Sequence, residues 1–512
     1  MIEAPYYPIV YVRGYAGTQG EVEDTTATPY MGFNLGATKL RQAHTGRIVS
    51  HVFESPLIRL MKDEGYADAY RDGQILPSGP VPSRSVWIFR YYDVTSRDLG
   101  SGERKEIEYH AERLREFLLH VRDAVLEPGE EPARFRAYLV AHSMGGLVCR
   151  CYLQNRSIPG LDGRPARTWT DKGVDKLFTY ATPHGGIEFR RGLGWAEGLR
   201  DFLDPNNAGN FGPRRMREFL DLDEDEPLGS LAGRFPAERV FCMVGTDARD
   251  YGAAAGLARR AVGPLSDGLV QIENATVRGA PRAFVHRSHS GHYGIVNSES
   301  GYQNLTRFLF GNVRVDGRLE VRELRLPPKV ERAWKAGRTV RASYHFDVVV
   351  GVRGARWTLH RRTVDEGSAI FRTFDQMMDP DKAGRGSARH PYLFSAFLDR
   401  RKIVGARRRS LGFSVDLAVH VPEYELDRRW WADGHYEGGF LFRDKLNLEV
   451  TPPPPGKPWR LRYGFDSRTP NRATRTAVGG LDGDAVVFRI PVENGSRPGL
   501  AAELVLTCTP WA

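Results

Sequence analysis

The sequence predicts two domains of different class: an α/β domain with a mostly parallel sheet and helices on both faces, then an all-β, sandwich-like domain. Three observations carry this expectation. The chain has 512 residues, whereas a single hydrophobic core usually stops growing near about 250–300 residues. Residues 1–310 alternate short apolar runs with helix-period stretches, the rhythm of parallel strands joined by crossover helices. After Gly311 the pattern changes to period-two alternation with few helical segments, as in a sandwich. The expected domains are 1–311 and 312–512.

Tyr7 to Val12 reads as the first strand, and Val86 to Phe89 as the second. Glu106 to Val125 has helical spacing, with Leu114, Phe117, Leu118 and Val121 on one face, and it leads into a strand at Phe135 to Val140. Lys176 to Ala181, Arg239 to Val244 and Arg282 to Val285 supply further short apolar strands. An amphipathic stretch, Tyr302 to Phe310, closes the domain. Two segments are expected insertions, about 20–80 and 186–234, the second rich in large apolar residues including Trp195, Phe202, Met216 and Phe219. Beyond Gly311 the strands are read at Leu319 to Arg322, Tyr344 to Val350, Ser410 to Val421, Phe440 to Val450, Ala485 to Ile490 and Glu503 to Leu506. The Pro452 to Pro455 run reads as a rigid surface loop.

With 41% hydrophobic and 27% charged residues, wholesale disorder and collagen-like or coiled-coil architectures are excluded. No apolar run approaches the roughly 18 residues that span a bilayer. The N-terminus as written has no basic region followed by an apolar stretch. A cytoplasmic protein is therefore expected, or a secreted one whose leader was removed. Four cysteines are too few for a disulfide framework and are expected as reduced, buried thiols. Charge is unevenly placed: residues 311–512 carry 35 Lys and Arg against 24 Asp and Glu, while residues 1–310 are near balance at 38 against 39. The C-terminal excess suits an acidic partner, with an anionic membrane surface ahead of nucleic acid, or simply a solvated face. Its densest cluster is Arg401, Lys402 and Arg407 to Arg409.

The chemistry centres on Leu139-Val140-Ala141-His142-Ser143-Met144-Gly145-Gly146, an apolar strand, a serine between small residues, and a helix start. A serine on so sharp a turn needs strained backbone angles, which only small neighbours such as Ala141 and Gly145 tolerate. The following helix aims unsatisfied amides and its positive dipole end at that serine, where an oxyanion could form.

This segment resembles the elbow of the α/β-hydrolase family, in particular of bacterial lipases and esterases, and the resemblance covers residues 1–310. Ala181-Thr182-Pro183-His184-Gly185-Gly186 is a second, independent likeness. The resemblance implies Ser143 as nucleophile, with backbone amides of Tyr15 and Met144 forming the oxyanion hole, although Arg13 stands where similar lipases carry a histidine. Ser266-Asp267-Gly268-Leu269-Val270 resembles the acid loop and implies Asp267, with Asp247 at a strand end as its rival. Gly291-His292-Tyr293-Gly294-Ile295-Val296 resembles the segment of the base and implies His292, with His289 next. His142 and His184 are expected to be structural. The expected activity is ester hydrolysis of lipid-like substrates through an acyl-enzyme, without cofactor or metal, with phospholipase as a close variant. A catalytically dead scaffold serving as a binding protein, and an acyltransferase or amidase sharing the same motifs, stay open on sequence alone.

Overall fold

The computed structural model describes residues 4–512 apart from 15–22, 24, 29, 43–44, 72–73, 76–80, 104, 188–211, 249–264, 292–293, 354, 356, 380–387, 404–409, 428–433 and 453–457. The chain divides into two compact units, Met1–Phe310 and Gly311–Ala512.

The first unit is built on a seven-stranded sheet whose strands, in chain order, are β1 (Ile9–Val12), β2 (Ala67–Asp68), β3 (Ser85–Phe89), β4 (Ala137–His142), β5 (Val174–Tyr180), β6 (Val240–Gly245) and β7 (Arg282–Val285). Their spatial order is β7-β6-β5-β4-β1-β3-β2, and each pairing is parallel. Strands of such a sheet are covered on both faces and read as continuous apolar runs rather than alternating ones. Accordingly β1, β3, β4 and β6 are buried along their whole length.

Helix α2 (Ile107–Val125) buries Ile107, Ala111, Leu114, Leu118, Val121 and Val125, spaced three or four apart as a single helical face requires. Phe117 lies at the margin of that face and is half-buried. Helix α1 (Pro56–Glu64), within the first insertion, starts where Ser55 Oγ accepts from the Ile58 amide and ends at Gly65, whose φ of 70° suits a residue without a side chain. Arg59 ties α1 to helix α5 (Glu299–Phe310) through an ion pair with Glu299 at 2.8 Å. Helix α3 (Met144–Gln154) runs directly out of β4 and is buried throughout. Helix α4 (Pro213–Leu220) packs on α3 through Met216, Phe219 and Leu220, so the described end of the second insertion belongs to the core. Trp195 and Phe202 lie outside the described residues.

Chain order places the site. From β1 the sheet grows toward β3 and β2, then the chain returns to lay β4 on the other side of β1. The carboxyl ends of β1 and β4 therefore flank a topological switch point, where open parallel sheets leave a crevice for ligands.

The second unit is antiparallel throughout its described pairings. One sheet joins Tyr392–Leu398, Val313–Arg325, Gly499–Pro510, Ala485–Asn494 and Gly479–Asp482, and the other is built around Val340–Val352, Leu411–Leu426 and Gly434–Thr451. Alternate residues of both sheets, such as Leu319, Leu504 and Ile490 from one and Tyr344, Val415 and Leu446 from the other, share a single core. That is the expected sandwich, with strands longer than the sequence suggested. All four cysteines are buried free thiols, and among the described residues no helix is long and apolar enough to cross a membrane.

Several ionisable side chains are buried, Lys176 among them. Lys176 on β5 is fully buried, with Nζ donating to the Leu309 carbonyl at 3.0 Å and lying over the Tyr138 and Phe308 rings. Burial pulls its pKa down to about 7 from 10.5. Between those values the unfolded chain holds the extra proton, so this residue's contribution makes stability rise with pH from about 7 toward 10.5. Lys176→Met is expected to raise the thermal midpoint at pH 7, by about 1 kcal/mol or more of stability, and to flatten that slope. Denaturant melts across pH 7–10 measure both, and an unchanged slope would refute the assignment.

Candidate active site

The β4–α3 turn fixes the first functional group. Ser143 has φ 53° and ψ −128°, a conformation that costs a residue with a side chain about 1–3 kcal/mol and is held only where the surroundings over-determine it. They do so here by omission. An added Cβ on Gly14 would lie 2.4 Å from Ser143 Cβ, and one on Gly145 would lie 2.4 Å from the Val12 carbonyl oxygen. A Cβ on Gly146 would meet Thr182 Oγ1 at 2.2 Å. The turn is pinned from the other side, because the Ser143 amide donates to the Tyr180 carbonyl at 2.8 Å.

Ser143 Oγ lies 2.9 Å from His289 Nε2, and His289 Nδ1 lies 2.9 Å from Asp267 Oδ2. All three residues are buried, His289 at 3% and Asp267 at 1% exposure. A carboxylate only accepts, so Nδ1 carries the proton shared with Asp267 and Nε2 faces the serine hydroxyl as acceptor. The other carboxylate oxygen, Oδ1, accepts from the amides of Leu269 and Val270 at 3.0 and 2.8 Å. The acid loop thus satisfies its own buried charge. Asp267 and His289 are also joined through the main chain, where the His289 amide donates to the Asp267 carbonyl at 3.0 Å.

Of the residues expected from sequence, Ser143 and Asp267 are brought together and the slot between them is filled by His289. The expected base, His292, lies outside the described residues, and the position it was to occupy is taken. The physical reason is reach: β7 ends at Val285, and a loop that stays bonded to Asp267 delivers its fourth residue to the serine. Three nearby histidines were visible in the sequence, and the Gly-His-x-Gly likeness pointed to His292 ahead of His289. The rival acid, Asp247, follows β6 and lies against His286, with Oδ2 3.6 Å from Nε2.

Met144 opens α3, and the first amides of a helix have no intrahelical acceptor, so its N–H is available beside Ser143. Tyr15 lies outside the described residues, but its neighbours set the loop. The Arg13 carbonyl accepts from Tyr91 Oη at 2.7 Å, and the Arg13 guanidinium bonds the Met31 carbonyl. Arginine in place of the usual histidine therefore anchors this loop to the first insertion.

The buried residues around the site include one that sequence patterning does not reveal. Arg150 is fully buried on α3, donating to the carbonyls of His184, Leu228 and Ser230 at 2.8–3.0 Å and to Gln154 Oε1 at 3.1 Å. Burial pulls its pKa down to about 10. It braces the loop after β5 and the tail of the second insertion against the nucleophile helix. His184 is buried beneath the same loop beside Thr179, and burial, with Arg150 nearby, holds it well below its ordinary pKa. Among the described residues no group of three or more His, Cys, Asp or Glu is arranged to hold a metal ion.

No protein-family model matches the chain, and no curated protein matches it by sequence. Among solved structures it is similar to the Bacillus licheniformis lipase BlEst2. In the mature form the likeness has 15% identity and a TM-score of 0.32, covering 60% of this chain and 93% of that one. In the propeptide form the values are 11% and 0.33, covering 91% and 97%. A cell surface hydrolase structure from Lactobacillus plantarum gives 12% and 0.23, over 60% and 91%. Likeness at this level says nothing about chemistry. The fold of the first unit is defined by its own parallel sheet, with the serine turn at the switch point.

The hydrogen-bonded chain makes a direct prediction for the rate at which Ser143 is phosphonylated, with loss of fluoride, by a fluorophosphonate probe. His289→Ala and Asp267→Asn are each expected to slow it about 10³-fold or more, with the double variant scarcely worse. His292→Ala and Asp247→Asn are expected to stay within a few-fold of wild type. A severe loss in His292→Ala with a mild one in His289→Ala would return the base to His292.

Proposed function

We propose that this chain is a serine hydrolase acting on carboxylic esters, with Ser143 as nucleophile, His289 as general base and Asp267 as the orienting acid. The observation that carries the reading is the pair of 2.9 Å contacts linking these side chains at the carboxyl ends of the sheet. In the proposed cycle His289 Nε2 takes the Ser143 proton while Oγ attacks the ester carbonyl carbon, and the carbonyl electrons move onto oxygen. The amides of Met144 and Tyr15 hold that oxyanion. Collapse expels the alcohol, which takes its proton from His289. Water, deprotonated by the same histidine, then attacks the acyl carbon and releases the acid and Ser143. Asp267 keeps the imidazole in the tautomer that presents Nε2 to the serine. A dead scaffold is disfavoured, because the serine, base and acid are all present and bonded in sequence.

Lipid-like esters are the proposed substrates, on the strength of the apolar second insertion and the readiness with which esters acylate serine. Turnover of nitrophenyl esters of increasing acyl length tests this. Activity rising with chain length and lost in Ser143→Ala, by about 10⁴-fold or more, is the expected result. Turnover that survives Ser143→Ala would sink the assignment.

Phospholipase action at an anionic membrane surface is a second reading, favoured by one edge of the β-domain. Val478 and Leu481 are 87% and 86% exposed, and Arg460 and Arg475 on the adjoining strands, with Arg472 in the turn between them, are exposed without an ion-pair partner among the described residues. Asp482 and Asp484 mark the turn beyond. The cluster singled out in the sequence is less free: Arg401 is paired with Asp399 at 2.6 Å, and residues 407–409 lie outside the described residues. Co-sedimentation of the full chain is expected to be stronger with anionic than with zwitterionic vesicles. It should weaken at high salt, and in Val478→Ser with Leu481→Ser. Equal binding to both vesicle types would remove this reading and leave the esterase proposal standing.

A further inference from the structure

His142 immediately precedes Ser143, closes β4 and is buried. Its Nε2 lies 2.9 Å from the main-chain carbonyl oxygen of His289. A carbonyl can only accept, so His142 Nε2 carries a proton and donates it. The two imidazole rings are neighbours, with centroids 4.9 Å apart and planes inclined at 46°. On its other side His142 is met by Gly14, where an added Cβ would lie 3.0 Å from His142 Nδ1 and 2.8 Å from its carbonyl oxygen. One side chain thus stands between the loop that follows β1 and the loop that carries His289.

The main chain of His289 has two anchors toward the other members of the site. Its amide donates to the Asp267 carbonyl at 3.0 Å, and its carbonyl accepts from the neighbour of Ser143 at 2.9 Å. The first fixes the histidine relative to the acid, and the second fixes it relative to the nucleophile. These main-chain bonds act together with the Nδ1–Asp267 contact at 2.9 Å and with the Ile295 amide, which donates to the Ser288 carbonyl at 3.0 Å. Burial, then the neighbouring charges of His289 and Arg13, hold His142 well below its ordinary pKa, opposed by its bond to the His289 carbonyl. It is therefore a neutral donor next to a ring that must take a proton.

We infer that His142 is a positioning residue, whose Nε2–H clamps the His289 main chain and sets the distance between the base and Ser143. This rests on the proposed acylation of Ser143 and assigns a function to a side chain that the sequence leaves as structural filler. The clamp acts on the approach of base to nucleophile and touches no part of a substrate, so its loss should fall on kcat and spare KM. A displacement of about 1 Å between reacting groups can cost on the order of 10²-fold in rate.

The test uses the full chain with a short, soluble nitrophenyl ester and a fluorophosphonate probe. His142→Phe keeps a ring of similar shape without the donor, and His142→Gln places an amide N–H near the position of Nε2. In His142→Phe, kcat and the probe-labelling rate are expected to fall together by roughly 10–100-fold, with KM within about twofold of wild type. His142→Gln is expected to recover most of the loss. Wild-type rates in His142→Phe, or a His142→Gln variant as impaired as His142→Phe, would overturn the inference. A wild-type chain whose Ser143 is not labelled at all would instead overturn the proposed function, so the two failures are distinct.

Discussion

The first unit depends on a steric constraint at one residue. Ser143 adopts a positive φ at the mouth of β4, and the turn fits only because three neighbouring positions carry no side chain. Gly14 lets the loop after β1 approach the serine, Gly145 lets α3 start against the end of β1, and Gly146 lets it pass Thr182. Adjacent pairing of β1 with β4 brings these glycines together. The same pairing places the first amide of α3 beside the serine hydroxyl, where a helix offers unsatisfied donors. Strain, close approach and the proposed oxyanion site are thus consequences of one packing arrangement.

Around that turn the protein buries charged and polar groups at a density that burial alone would oppose. Three of the charged ones are matched largely with main-chain partners. Asp267 takes two amides on one oxygen and the histidine on the other, Arg150 takes three carbonyls and an amide oxygen, and Lys176 takes the end of α5. An unmatched buried polar group costs about 1–3 kcal/mol, and more if charged, so these bonds restrict the loops to arrangements that keep them. Loops are otherwise the softest parts of an α/β fold. Here the loops of Asp267 and His289 and the segment after β5 are fastened to rigid elements by side chains that serve as struts.

The β-domain achieves its stability in another way. Its two antiparallel sheets alternate inward apolar and outward polar residues, and its core needs no contribution from the first unit. The excess of positive charge rides on the outward faces, much of it tied into local pairs such as Arg489 with Glu503 and Arg353 with Glu449. Exposed pairs of this kind contribute little to stability. The charge is therefore a property of the surface rather than part of what holds the domain together.

Local sequence determined the class of each unit, the boundary near residue 311, the strained serine and the acid loop. These are legible because each is written in contiguous residues: apolar runs for buried parallel strands, alternation for the sandwich, small residues flanking Ser143, and amides at Leu269 and Val270 beside Asp267. Tertiary structure alone decided which histidine completes the site. Local likeness pointed to His292, whereas the register of β7 beside β6 and the bond from His289 to the Asp267 main chain set the His289 ring against the serine. The burial of Arg150 and the clamp from His142 were equally hidden. Their main-chain partners lie 34 to 147 positions away in the chain, and a hydrogen bond across such a separation leaves no local pattern, because its geometry is set by how the strands are ordered in the sheet.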